Sequence, residues 1–116
     1  MTTNYPARRS ELQGLMVRLG RELPSPMGGF ANLHKAAASK GTLDTKTKEL
    51  IALGIAVASR CDACIAFHVH DVLTAGASRA EVLETLGVAV MMGGGPAAMC
   101  ACDAFTALEQ FESEHH

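Results

Sequence analysis

Residues 50–58, with the sequence LIALGIAVA, are apolar on every side of any helix that they form. A helix that is apolar all round has to be covered all round. In a short chain it is therefore either the central helix or a helix covered at an interface between subunits. The stretch SRCDACIAFHVHD follows directly, at residues 59–71. We expect the fold to be organised around one buried helix that leads into a segment rich in cysteine and histidine.

The composition favours an all-α fold. Hydrophobic residues make up 48% of the 116-residue chain, but there is no Trp and only one Tyr, so Ala, Leu, Val and Met provide most of the burial. No segment shows sustained alternation of apolar and polar residues. Proline and glycine divide the chain into about six helices, at residues 7–22, 27–39, 44–59, 61–75, 79–92 and 97–112. A chain of this length is expected to form one domain over residues 1–116.

Several helix boundaries have a physical cause. Asp44 can accept hydrogen bonds from the first turn of the helix that follows it. Ser78 and Glu81 form a capping box, and Gly76 stands where a left-handed residue commonly ends a helix. A new helix that begins near Cys61 requires a turn at about residue 60, which predicts a central antiparallel hairpin of two helices.

Charge and hydropathy exclude several functional classes. Ten Lys and Arg balance twelve Asp and Glu without a basic run, so nucleic acid and anionic membrane are poor partners. The N-terminal stretch lacks the apolar region of a secretory signal. The longest uncharged run, residues 86–102, contains GGGP and is shorter than the roughly 20 apolar residues of a membrane span. We therefore expect a cytoplasmic protein, in which a closely spaced cysteine pair is catalytic or binds metal.

Three side chains of the cysteine-rich segment share one helix face. Cys61, Cys64 and His68 stand at positions i, i+3 and i+7, within about 60° of one another around a helix. His70 lies about 180° from Cys61 and should face elsewhere. Cys61 is expected at the helix start, directly after Arg60, where the helix dipole and the guanidinium both favour a thiolate.

Glu49 should reach this face from the preceding helix. On one unbroken helix it would lie about 18 Å from Cys61. In a hairpin that turns at residue 60 it instead lies opposite residue 71, one helical turn from His68. The expected order is Glu49, then His68, then Cys64, in which an acid orients an imidazole beside a thiol. Cys61 remains within disulfide reach of Cys64.

A zinc site and a pair of inert helix thiols are the alternatives. Glu49, Cys61, Cys64 and His68 could supply the four zinc ligands. Structural zinc usually recruits a second cysteine or histidine pair, whereas Cys100 and Cys102 lie about 200° apart on a helix. We therefore favour a redox-active dithiol at Cys61 and Cys64. Cys100 and Cys102 are expected to pack in the core or at an interface, as small apolar residues. Met91, Met92 and Met99 are expected to fill the core.

The motif resembles that of a known family. Glu49, eleven further residues and then CDACIAFH resemble the E-x(11)-C-x-x-C-x-x-x-H signature of the AhpD-like alkylhydroperoxidases, in the carboxymuconolactone decarboxylase superfamily. Residues 33–97 resemble the core of that family nearly throughout, with the motif region at 44–75. The resemblance implies an AhpD-like helical bundle that assembles as a trimer or hexamer.

The resemblance also implies a thiol-dependent peroxidase that reduces hydroperoxides. Cys64 resembles the peroxidatic cysteine and Cys61 the resolving one, while His68 and Glu49 resemble the proton relay. No bound cofactor or metal is implied, and the dithiol would be restored by an external reductant such as a lipoyl-type or thioredoxin-like carrier. The chain departs from the peroxidase branch at Ala63, where that branch has a further histidine.

Two other functions remain open from the sequence. One is a thiol–disulfide oxidoreductase or redox sensor that acts on a protein partner. The other is a lactone-decarboxylating enzyme of the same superfamily, although that branch generally lacks the cysteine pair. Comparing peroxide turnover with disulfide exchange distinguishes the first alternative, and activity in a variant without both cysteines would indicate the second.

Overall fold

The computed structural model describes residues 2–114, which form five helices and contain no strand. The prediction of an all-α fold is confirmed. The helices are α1 (Tyr5–Glu22), α2 (Pro24–Ala38), α3 (Thr45–Ala58), α4 (Asp62–Thr74) and α5 (Arg79–Glu114). Five helices are counted instead of six, because α5 includes both of the last two predicted helices, which meet at a kink. Gly94 interrupts α5 with φ 70° and ψ −152°, so the break predicted at GGGP is present as a kink.

Helices α3, α4 and α5 pack against one another and form the core. The predicted hairpin of α3 and α4 is present. Each of these helices contributes large apolar side chains at helical spacing, and these side chains are completely or almost completely buried: Leu53 and Val57 from α3, Ile65, Val69 and Val72 from α4, and Val82, Leu108 and Phe111 from α5. The hairpin that carries the cysteine motif is thus held by the best-packed part of the chain.

The predicted helix caps are present. The Asp44 carboxylate accepts the backbone N–H of Thr47 at 2.8 Å. The Ser78 N–H donates to the Glu81 carboxylate at 2.8 Å, and the Glu81 N–H donates to the Ser78 hydroxyl at 3.1 Å. Gly76 has φ 95°, as expected for a residue that ends a helix in the left-handed region. These contacts fix where α3 and α5 begin and where α4 ends.

Helices α1 and α2 are packed much less tightly than the core. Tyr5 is the one buried residue of α1, and none of the residues of α2 is buried. Helix α1 contacts α2, α4 and α5, and α2 also touches α3. The two helices therefore cover one side of α4 without filling the space beside it.

Much of the apolar surface of the single chain is exposed. The prediction that three methionines fill the core is wrong, since Met91, Met92 and Met99 are 72%, 75% and 65% exposed. Ile51 and Ile55 of α3 are 48% and 63% exposed, so this helix is not covered on every side within one chain. Hydrophobic character alone does not distinguish a core position from a position covered by another subunit.

By length and composition, helix α5 is long and apolar enough to cross a membrane, whereas no membrane span was expected from the sequence. One such helix is weak evidence, because a helix that builds a protein core satisfies the same criteria. Both halves of α5 supply core side chains, including Leu86 before the kink and Phe111 after it.

Candidate active site

The turn between α3 and α4 places Cys61. Arg60 has φ 60°, and its N–H donates to the carbonyl of Val57 at 3.1 Å. The N–H of Cys61 donates to the carbonyl of Ala56 at 3.0 Å. This pair of bonds is the Schellman pattern that ends many helices with a left-handed residue. The backbone of the first cysteine is thus fixed by the end of the buried helix.

Cys61 is the N-cap residue of α4, and its Sγ accepts the backbone N–H of Cys64 at 3.2 Å. The two cysteines form a disulfide with a Cα–Cα distance of 5.2 Å, and both are half-buried. Once the pair is reduced, the N–H groups and the dipole of the helix N-terminus favour a thiolate here. The position therefore suits reactive sulfur.

Tyr5 ties the first turn of α1 to the cysteine motif. Its hydroxyl donates to the Asp62 carboxylate at 3.0 Å, and its ring is 2% exposed. Burial, together with this hydrogen bond, raises the pKa of the Tyr5 phenol well above its usual range. Tyr5 thus remains a neutral donor that restrains a residue between the two cysteines.

Glu49 and His68 lie together, as the hairpin predicted. The distance from Glu49 Oε2 to His68 Nδ1 is 3.6 Å. Glu49 is 6% exposed and is the one buried charged residue of the described chain. Neither of these two atoms has a hydrogen-bond partner among the described residues. A slight approach would join the acid to the imidazole, and His68 is one turn along α4 from Cys64.

Two further residues, for which the sequence indicated no role, join this group. The His34 ring of α2 lies 6.4 Å from the His68 ring, measured between centroids. One donor atom each of His34, Glu49 and Asp71 lie within 4.8 Å of one another, so these three side chains could hold a cation. The hairpin register already placed residue 71 opposite Glu49. No comparable pattern in the sequence predicts that α2 brings His34 close to Glu49 and His68.

The other candidates, His70, Cys100 and Cys102, do not line the space beside Cys64 and His68. The Nδ1 atom of His70 lies 3.0 Å from Asp71 Oδ1, and its ring packs edge-on against Phe111 at 5.7 Å. His70 therefore faces α5, as its position on the helix predicted. Cys100 packs beside the core as expected, whereas Cys102 is exposed.

A cavity of about 770 Å³ lies between α4 and the pair of helices α1 and α2. Of the two motif cysteines, Cys64 borders it, together with Ala63, His68 and His34. Most of the remaining lining is apolar. A molecule in this cavity would thus lie against Cys64, His34 and His68. Ala63 leaves open the space beside Cys64 that a larger side chain would occupy.

Comparison with known proteins identifies the family to which the chain belongs. A sequence profile of the carboxymuconolactone decarboxylase family matches residues 24–107. An uncharacterized protein of Cupriavidus necator is 39% identical over 104 residues, which cover 90% of this chain and 92% of that protein. An uncharacterized protein from the cox locus of Paracoccus denitrificans is 34% identical over 83 residues, covering 72% of this chain and 75% of that protein.

Solved structures of the same family share the fold. A carboxymuconolactone decarboxylase family protein of Legionella pneumophila has a TM-score of 0.88 and 44% identity, covering 92% of this chain and 96% of its own. Another from Thermotoga maritima, with a suggested role in an antioxidative response, has a TM-score of 0.74 and 33% identity, covering 86% of this chain and 92% of its own. As its motif predicted, the chain belongs to the carboxymuconolactone decarboxylase family.

Proposed function

We propose that the protein is a thiol-dependent peroxidase that reduces hydroperoxides through Cys61 and Cys64. The observation that carries this proposal is the shared position of Cys64 and His68 on the cavity wall, with the buried carboxylate of Glu49 behind the imidazole. An acid, an imidazole and a thiol in this order are the parts of an activated nucleophile. The family membership and the suggested antioxidative role of the Thermotoga relative support it.

In the proposed reaction His68 removes the proton of the Cys64 thiol, and Glu49 stabilises the imidazolium that forms. The thiolate attacks the distal oxygen of the hydroperoxide and breaks the O–O bond. Cys64 is oxidised to a sulfenic acid, and the other oxygen leaves as an alcohol after it takes the proton from His68.

Cys61 then attacks the sulfenic acid, which releases water and forms the Cys61–Cys64 disulfide. The Cα–Cα distance of 5.2 Å in the oxidised structure shows that the helix start accommodates this bond. An external dithiol, such as a lipoyl-type or thioredoxin-like carrier, supplies two electrons and returns both cysteines to thiols. No bound cofactor takes part in this proposed cycle.

Peroxide consumption in the presence of a dithiol reductant tests the proposal. Cys64→Ser should consume peroxide no faster than buffer with reductant alone. Cys61→Ser should form the sulfenic acid once per chain but fail to close the disulfide. Cys102→Ser is the matched control, since this thiol is exposed and far from the motif in sequence, and it should retain wild-type turnover. Wild-type turnover by Cys64→Ser would refute the proposal.

Disulfide exchange with a protein partner is the second candidate. The observation that favours it is the place of the Cys61 sulfur at the N-terminus of α4, a feature of dithiols that exchange rapidly. The two functions differ in what oxidises the dithiol, which is a hydroperoxide for a peroxidase and a protein disulfide for an exchange enzyme. If the reduced protein reacts faster with a protein disulfide than with any hydroperoxide at equal concentration, exchange is the principal activity.

We also propose that the protein self-associates through its exposed apolar face. Ile55 of α3 and Val88, Met91 and Met92 of α5 are each more than half exposed in the single chain, an unusual amount of large apolar surface for a monomer. The resemblance to the AhpD-like proteins predicts a trimer or hexamer. Light scattering of the wild-type protein and of Ile55→Glu tests this, because the charged variant should shift the mass toward a monomer.

A further inference from the structure

The cavity beside Cys64 is much larger than a small peroxide requires. Its volume of about 770 Å³ compares with about 30 Å³ for a water molecule in the liquid, and hydrogen peroxide is only slightly larger than water. Volumes of about 300–1,000 Å³ are typical of pockets that enclose an organic ligand. The walls include large apolar side chains of α1 and α2: Leu12, Met16, Val17, Met27 and Phe30. This lining favours an aliphatic ligand.

Arg9 of α1 supplies an unpaired positive charge to this apolar cavity. Its Nε is buried without a hydrogen-bond partner among the described residues, and it takes part in none of their ion pairs. Its Nη1 makes one long hydrogen bond, to Gln13 at 3.5 Å. By contrast, the neighbouring Arg8 pairs with Glu11 at 2.9 Å. Arg9 therefore retains most of its donors for a ligand.

The guanidinium of Arg9 is held near the reactive segment. It lies over the ring of Phe67, 5.8 Å from the centroid, and Phe67 is one turn from Cys64 on α4. Asp71 is the acidic residue of the lining, and it lies beside Glu49 and His34. The cavity thus has a cationic position at Arg9 and a proton-transfer position at the imidazoles.

We propose that this cavity binds an aliphatic carboxylate, with the chain against the apolar wall and the carboxylate paired with Arg9. A guanidinium offers two parallel N–H groups to a carboxylate, and Nη2 of Arg9 has no hydrogen-bond partner among the described residues and is not among their buried unpaired atoms. A carboxylate site beside Cys64, combined with the proposed peroxidase function on which this step rests, makes the substrate a fatty-acid-type hydroperoxide. The hydroperoxide is reduced to the alcohol at Cys64, and the carboxylate is unchanged.

Binding of decanoate and of its methyl ester tests the ligand class without any chemistry. Calorimetry on the oxidised protein should show that Arg9→Gln weakens decanoate binding by about 10-fold to 100-fold, whereas methyl decanoate binds both proteins equally. Arg18→Gln is the matched control, because Arg18 is an exposed arginine of the same helix outside the cavity. Decanoate affinities within twofold for wild type and Arg9→Gln, or an equal loss in Arg18→Gln, would overturn the proposal.

Turnover then separates this inference from the proposed function. With a long-chain fatty-acid hydroperoxide, Arg9→Gln should lower kcat/KM about 10-fold or more through KM, whereas the methyl ester and tert-butyl hydroperoxide should be unaffected. Equal losses with all three peroxides would overturn the carboxylate assignment and leave the peroxidase intact. If the wild type reduces none of them, the peroxidase proposal fails, and the decanoate measurement still decides the ligand class.

Discussion

The substitution Glu49→Gln tests whether the buried carboxylate acts through its charge. Glu49 Oε2 lies 3.6 Å from His68 Nδ1. Two unit charges at this separation attract by about 4–5 kcal/mol at an effective dielectric constant of about 20. This attraction exists only while His68 holds the proton taken from Cys64. Glutamine keeps the shape of the side chain without its charge, so we expect thiol oxidation to slow by at least about 100-fold.

The same substitution should make the fold more stable. Glu49 is 6% exposed, and its Oε2 has no hydrogen-bond partner among the described residues. A neutral amide costs less to bury than a carboxylate and can donate to the imidazole of His68. We expect the free energy of unfolding to rise by about 1–2 kcal/mol. Urea denaturation at neutral pH measures this change.

The rate is measured on the reduced protein by quenched flow, with the remaining peroxide determined colorimetrically, because the chain has no Trp to report by fluorescence. Glu84→Gln, at an exposed position of α5, controls for the loss of one negative charge. A rate for Glu49→Gln within threefold of wild type would refute the role of the charge. A loss of stability would show that the carboxylate serves the fold.

Three further predictions concern stability. Gly94→Ala should lower the free energy of unfolding, measured by urea denaturation, by about 1–3 kcal/mol, because φ 70° and ψ −152° suit glycine alone. Gly95→Ala is the control: an added methyl group meets no neighbouring atom there, so the free energy of unfolding should change by less than about 1 kcal/mol. The Glu81 pKa is lowered by the backbone hydrogen bond that starts α5 and by an ion pair with α3. Glu81→Gln should therefore be less stable than wild type above about pH 4.3, and thermal melts should converge as the pH falls through the lowered pKa. Tyr5→Phe should cost about 1 kcal/mol through the lost hydrogen bond to Asp62, and an unchanged urea midpoint would contradict this.

The part of the site on the α3–α4 hairpin could be predicted from the sequence. Helical periodicity placed Cys61, Cys64 and His68 on one face, and a turn at residue 60 placed Glu49 beside His68. Both steps depend on local geometry, which varies little between proteins. His70 was separated from the site by the same reasoning, and its contact with Phe111 agrees.

The contributions of α1 and α2 could not be predicted in this way. His34 and Arg9 reach the cavity because two loosely packed helices lie across α4, and no periodicity encodes that approach. The error at Met91 and Met92 has a different cause. Apolar residues build the core but also contribute much of a protein surface, so composition does not separate the two positions.

In the proposed cycle, peroxide oxidises Cys64 to a sulfenic acid, and Cys61 converts this acid to the disulfide. The most direct measurement uses reduced Cys61→Ser, one equivalent of hydroperoxide and dimedone, a reagent that labels sulfenic acids, followed by peptide mass analysis. We expect one dimedone adduct per chain, on Cys64, and no adduct in the wild type, where the disulfide forms instead. Labelling confined to Cys100 or Cys102, or no labelling while peroxide is consumed, would contradict it.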